Sequence, residues 1–189
     1  MARSVLNSVQ RMHWRSPWGL IPVLVRNGRI RAIALDPRAP LPDLSLPHAA
    51  PAPQSIRPGP INTPRDLARL MGAVLRGEVR ARDLIAASDL TDCSPFERSV
   101  LTALAKVRYG ESISYGELAA AIGAPRAARA VGGALGKNPI PLLLPCHRVL
   151  AANGIGGYGG GADRTWLPGG KEPLQFKRAL LAREGVLVD

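Results

Sequence analysis

Apolar positions fall into three regimes along the chain. Between residues 4 and 35 they come in short runs suited to strands. Leu20 to Arg26 and Arg29 to Leu35 are two such runs, joined by Asn27-Gly28, the strongest short hairpin signal. Pro22 has no N–H for a ladder, so it is expected on an edge strand or near a strand end. The segment 37–62 is dense in Pro and Ala with little charge. It reads as a linker or surface loop, because proline can continue neither helix nor ladder. After it, apolar residues recur at helical spacing.

Thr63-Pro64-Arg65-Asp66 opens a helix, with Thr as N-cap, Pro at the first position and an acid in the first turn. Leu67, Leu70, Met71 and Leu75 form its stripe, and Gly77 ends it. Ser94-Pro95-Phe96-Glu97 is a capping box for a second helix. Val100, Leu101, Leu104 and Val107 line its core face, and Tyr109-Gly110 stops it. Ser114 to Glu117 is a third start, for a helix from Tyr115 to Ile122. Gly123 ends it, Ala124-Pro125 turns the chain, and another helix runs from about Arg126 to Gly136. Two short helices around a tight turn fit a helix-turn-helix. Paired Gly132 and Gly133 in the second are costly and predict close approach of another backbone, inside the protein or in a DNA groove.

The pattern predicts an α/β fold of the α+β kind. A small N-terminal β-sheet module with a helix occupies 1–90. A helical C-terminal domain with the helix-turn-helix occupies 91–189.

Charge adds a partner class. Twenty-five Lys and Arg against 14 Asp and Glu give a formal +11, which suits a polyanion. Two cysteines and three histidines make no disulfide framework and no zinc-ligand spacing. No apolar run approaches the ~20 residues of a membrane span, and the first residues lack an apolar signal core. The expectation is a cytoplasmic protein with reduced thiols.

The chemistry concentrates at Asn138 to Val149, N-P-I-P-L-L-L-P-C-H-R-V. Cys146 sits at the end of an apolar run, followed by His147. Thiolate is the reactive form of cysteine, and a base or cation nearby favours it. Neighbouring side chains in an extended segment point apart, so a turn or a bridging water is needed to couple the two. A buried, inert cysteine and a histidine satisfied by a carbonyl are the alternatives.

P-C-H-R-V, preceded by N-P-I-P and R-A-V-G-G-A, resembles the O6-alkylguanine-DNA alkyltransferase family. Y-G-E-S-I-S-Y-G-E-L-A before it, Y-G-G-G after it and R-E-G near the end extend the match; S-P-W-G and S-P-F-E are weaker elements. The match is dense over about 94–161, returns at 174–185 and is loose over the first 90 residues. The resemblance implies a repair protein that flips O6-alkylguanine from duplex DNA and transfers the alkyl group irreversibly to Cys146. It implies catalytic roles for Cys146, His147, Glu184 and Tyr115, with His147 acting through water and Glu184 orienting it. It implies DNA contact by Arg129, as a finger filling the vacated stack, and by Ala127, Ala128, Ala130, Gly132 and Tyr115. Asn138 would hold the turn leading to Cys146. Pro141, Val149, Tyr158 and Gly159 would line the base pocket. No metal and no cofactor is expected, and the partner is lesion-bearing double-stranded DNA met by a monomer.

Two features depart from the family. Cys93 is expected to be structural. Residues 162–173 form an insertion before the last helix, read as a tolerated surface loop, with altered grip or substrate range as the sharper alternative. Two functional alternatives stay open: a lesion-binding relative without repair, against which Cys146 itself argues, and a sister protein for bulky adducts.

Overall fold

The structure is a computed structural model describing residues 9–35, 57, 59–157 and 173–188. Strands β1 (Val9–Ser16), β2 (Gly19–Arg26) and β3 (Arg29–Ile33) form one antiparallel sheet in that order. Asn27 and Gly28 both take positive φ, 52° and 74°, the pair of left-handed residues that a two-residue turn needs to match strand twist. Alternation then buries Met12, Trp14, Ile21, Val23 and Val25 on one face. Helix α1 (Pro64–Leu75) packs against β1 and buries Leu67, Leu70 and Met71; Leu75 is only half-buried.

Pro22 lies on β2, the central strand, not on an edge. The missing N–H is tolerated for a geometric reason. Its carbonyl accepts from Ala34 N at 3.0 Å, so its nitrogen points to the same side, where β3 has already ended at Ile33.

Helix α2 (Ala81–Ala86) was not expected; it is a single short stretch with no side-chain cap. Helix α3 (Pro95–Leu104) ends earlier than the apolar spacing suggests. Val107 is buried, but from the turns beyond the helix. Two-residue strand β4 (Ile113–Ser114) leads directly into α4 (Tyr115–Ala121), and Gly123, at φ 76°, turns the chain. Helix α5 (Ala128–Gly136) starts at Ala128, with Ala127 as its N-cap and Arg126 outside. A one-turn 3-10 helix (Cys146–Arg148), strand β5 (Val149–Leu150) and α6 (Pro173–Arg183) follow. Thr63 with Asp66, Ser94 with Glu97 and Ser114 with Glu117 form reciprocal capping boxes, so three helix starts are fixed locally.

Three features bring distant segments to the Cys146 turn. Parallel pairing of β4 with β5 sets Ile113 beside Val149 and Ser114 beside Leu150. The end of β3 donates from Ile33 N to Pro139 O at 2.9 Å, so the sheet braces the segment leading to Cys146. Trp18, fully buried at the β1–β2 turn, meets Phe176 of α6 edge-to-face at 5.3 Å. Of the Pro-rich segment, residues 37–56 and 58 lie outside the described residues, as do Tyr158, Gly159 and residues 162–172 of the insertion.

Candidate active site

The approach to Cys146 is shaped by Asn138. Its Nδ2 donates to Leu144 O at 2.9 Å and its Oδ1 accepts from Ile140 N at 3.1 Å. One side chain thereby closes the loop between the end of α5 and the cysteine. Pro141 and Val149 are buried, and Leu142 takes φ 71°, uncommon for a bulky residue. Cys146 N donates to Leu144 O at 2.9 Å and Arg148 N to Pro145 O at 3.0 Å. The Cys146–His147 pair therefore sits on a tight turn rather than an extended strand. Cys146 is 8% exposed and His147 2%. Neither cysteine is in a disulfide; Cys93 is half-buried, and burial pushes its thiol up.

Glu184 joins the turn to α6. Its Oε1 lies 2.8 Å from His147 Nε2 and accepts from Arg148 Nη2 at 3.0 Å; its Oε2 accepts from Arg148 Nε at 2.8 Å and from Gly110 N at 3.3 Å. Burial alone would raise this carboxyl, but His147 and Arg148 outweigh it and lower it to about 2. An ionised carboxylate only accepts, so His147 Nε2 carries the hydrogen. Burial lowers the His147 pKa against the pull of Glu184, which favours the neutral ring. Its lone pair is then on Nδ1, and that atom is buried with no hydrogen-bond partner among the described residues. A buried base beside a thiol, oriented by a carboxylate, is the arrangement that nucleophilic cysteine chemistry requires.

Arg148 is structural. It is 6% exposed, donates from Nη1 to Val107 O at 2.8 Å and lies 5.7 Å over the Tyr109 ring.

Tyr115 reaches the site from α4. Its hydroxyl donates to Gly157 O at 3.2 Å, and burial raises its pKa, with Cys146 adding to the rise. Two glycines flank the ring. A Cβ on Gly132 would stand 3.6 Å from Tyr115 Cε1, and one on Gly156 would stand 3.2 Å from Cε2. The neighbour expected for Gly132 was a backbone; it is this ring. Gly133 faces open space, and Arg129 and Ala130 are exposed beside it, with Ala127 and Ala128 half-buried.

The sequence reading missed Lys177. It is fully buried, and its Nζ donates to Val149 O and Ile155 O at 2.6 Å each and to Gly157 O at 3.0 Å. A signal existed: Lys177 is on α6 seven residues before Glu184, which follows the helix's last residue, and two helical turns bring the pair to the same side.

A cavity of about 450 Å³ lies nearby, lined by residues including Leu84, Val107, Tyr109, Leu143, Pro145 and Arg148. Cys146 does not line it, so it is not the expected base pocket. Tyr158 and Gly159, assigned to that pocket, lie outside the described residues. Among the described residues no cluster of three His, Cys, Asp or Glu could hold a metal, and no helix is long and apolar enough to cross a membrane.

Comparison with known proteins follows the same lines. The family described as 6-O-methylguanine DNA methyltransferase, DNA binding domain, matches residues 95–186. The methylated-DNA–protein-cysteine methyltransferase of Mycolicibacterium paratuberculosis is 53% identical over 95 residues, covering 50% of this chain and 56% of that one. That of Methanosarcina acetivorans is 44% identical over 100 residues, covering 52% and 62%. The chain thus spans roughly six-tenths of the length of these two curated relatives. Solved structures extend the likeness along nearly the whole chain. Mycobacterium tuberculosis OGT in complex with DNA is 31% identical with a TM-score of 0.59, covering 91% of this chain and 90% of that one. The O6-methylguanine-DNA methyltransferase of Pyrococcus kodakaraensis is 29% identical with a TM-score of 0.61, covering 95% and 100%. The cysteine turn with its histidine and carboxylate thus stands in a chain that belongs to the O6-alkylguanine-DNA alkyltransferase family.

Proposed function

We propose that this protein repairs DNA by moving the alkyl group of O6-alkylguanine onto Cys146, once per molecule. The observation that carries the reading is the His147–Glu184 contact beside Cys146, which leaves the buried His147 Nδ1 as a base with nothing else to bind among the described residues. Through a water, that nitrogen takes the Cys146 proton. The sulfur pair forms a bond to the alkyl carbon while the carbon–O6 bond breaks and its electrons return to guanine. The Tyr115 hydroxyl supplies guanine with a proton, and the proton on His147 returns to the phenolate through solvent. The balance is thiol plus alkylguanine giving thioether plus guanine. No metal or cofactor enters it.

DNA binding is read as a helix-turn-helix of α4 and α5. The flat face of Ala127, Ala128, Ala130 and Gly132 would enter the minor groove, only ~6 Å wide, and Arg129 would fill the space of the extruded base. Pro141, Val149, Tyr158 and Gly159 would line the pocket, with Asn138 holding its approach. Residues 1–90 would brace the acceptor domain of 91–189. The protein would act as a monomer on double-stranded DNA in the cytoplasm.

Incubating the protein with a duplex containing O6-methylguanine and weighing it intact tests the reading. A gain of one methyl that disappears in Cys146→Ala supports it. Tight binding without a gain in mass would make it a lesion-binding protein instead. Arg129→Ala should slow repair of duplex more than reaction with free O6-benzylguanine; equal losses would remove the finger role.

A further inference from the structure

The cavity of about 450 Å³ stands apart from the site at Cys146, which does not line it. Its apolar walls come from two sides of the fold. The stretch from α1 to α2 supplies Val79 and Leu84; the turns after α3 and the loop before Cys146 supply Val107 and Leu143. One flank is shut by a close contact. Gly77 takes φ 72°, and a Cβ there would stand 2.6 Å from Tyr109 Cγ, so the chain after α1 rests directly on the tyrosine ring. Protein interiors hold few voids larger than a water, and a space this size beside so tight a contact is not slack between loosely docked parts. It has roughly three times the ~150 Å³ of a cavity that admits benzene, room for a body of about two or three rings.

The charge around it is one-sided. Arg80, Lys106, Arg108 and Arg148 line it, and among the described residues no Asp or Glu does. Arg148 is balanced by Glu184. Arg108 reaches Glu111 only at 3.9 Å, with both side chains exposed, a pair that contributes little. The Arg80 and Lys106 side chains are exposed and have no hydrogen bond or ion pair among the described residues. Apolar walls beneath a rim of cations with spare donors complement a molecule that is apolar at one end and anionic at the other.

We propose that this cavity is a second ligand site, separate from the base pocket, that takes a small organic anion. Its ring body would lie on Val79, Leu84, Val107 and Leu143, and its carboxylate or sulfonate would be held by Arg80, Lys106 and Arg108. Pro145 and Arg148 also line the cavity, so an occupant touches the residues on either side of the Cys146–His147 pair.

The test titrates the full chain by fluorescence with 8-anilinonaphthalene-1-sulfonate, an aromatic anion, and with N-phenyl-1-naphthylamine, which lacks the sulfonate. The sulfonate should bind once per chain and saturate, and the uncharged compound should bind about tenfold more weakly. Joint Arg80→Glu and Lys106→Glu substitution, at exposed positions, should weaken the sulfonate about tenfold and the uncharged compound little. Val79→Trp, which fills the cavity, should abolish binding of both. Absence of saturable binding, equal affinity for the two compounds, or unchanged sulfonate affinity in a Val79→Trp protein with wild-type circular dichroism overturns the proposal. Where Val79→Trp does not fold, the double charge variant decides, and an unchanged sulfonate affinity there overturns it equally. Saturating O6-benzylguanine should leave the titration unmoved; displacement would put the sulfonate in the base pocket and remove the second site. These readouts do not depend on whether Cys146 accepts an alkyl group.

Discussion

Arg148 grips Glu184 through two parallel bonds, Nε to Oε2 at 2.8 Å and Nη2 to Oε1 at 3.0 Å, with both side chains 7% exposed. Removing one partner of such a pair leaves the other charge buried alone, which costs about 3–5 kcal/mol. Glu184→Ala should lower unfolding free energy in urea by that amount, and Glu184→Gln by less, because the amide oxygen still accepts. A loss under ~1 kcal/mol for the alanine variant would contradict the burial and pairing described.

Acid should destabilise the fold in two stages. The His147 pKa is lowered on folding, so the unfolded chain binds its proton first, and stability falls as pH drops below the ordinary 6.5. Glu184 is lowered from 4.5 to about 2, so its contribution is full above 4.5 and is lost as pH falls toward 2. Thermal unfolding between pH 8 and pH 3 should show a first decline beginning near 6.5 and a steeper one below 4.5. Replacing His147 with Gln should remove the first decline alone; its persistence would place the titration elsewhere.

Gly133 makes opposite predictions for stability and for DNA. Gly133 faces open space, so Gly133→Ala should stabilise α5 by up to about 1 kcal/mol and leave reaction with free O6-benzylguanine unchanged. The same methyl would stand beside Arg129 and Ala130, the exposed residues assigned to the DNA, and duplex affinity should fall. A variant that is more stable and binds DNA as well as the parent would take α5 out of the groove.

Asn138 satisfies two main-chain groups at once, Ile140 N and Leu144 O. Asn138→Ala leaves both without their partner and should cost about 1–3 kcal/mol per group left buried. Because those bonds fix the loop that delivers Cys146, alkyl transfer at a temperature where the variant is folded should slow as well. Full activity in a folded Asn138→Ala protein would show that the loop holds its shape by other means.

What the sequence disclosed, it disclosed locally. The Asn27-Gly28 turn, the three capping boxes and the adjacency of Cys146 and His147 are each written within four residues, and all are present. The pairing of Glu184 with His147 came from resemblance, since nothing near Glu184 names a partner 37 residues back. Lys177 was hidden by its own chemistry: a lysine among apolar residues usually lies on a solvated face, and its partners are carbonyls that no side-chain pattern reports. Pro22 misled because its tolerance depends on where β3 stops. Val107 misled because helical spacing continued past the end of α3 into turns.

Lys177 on α6 and Glu184, the residue just past its end, stand seven residues apart, about 10 Å of helical rise along the backbone. One end steadies the base beside the sulfur; the other gathers the carbonyls of the wall opposite. Neither can be withdrawn without the other, so a shift of α6 away from the cysteine turn would remove both sets of contacts in a single stroke.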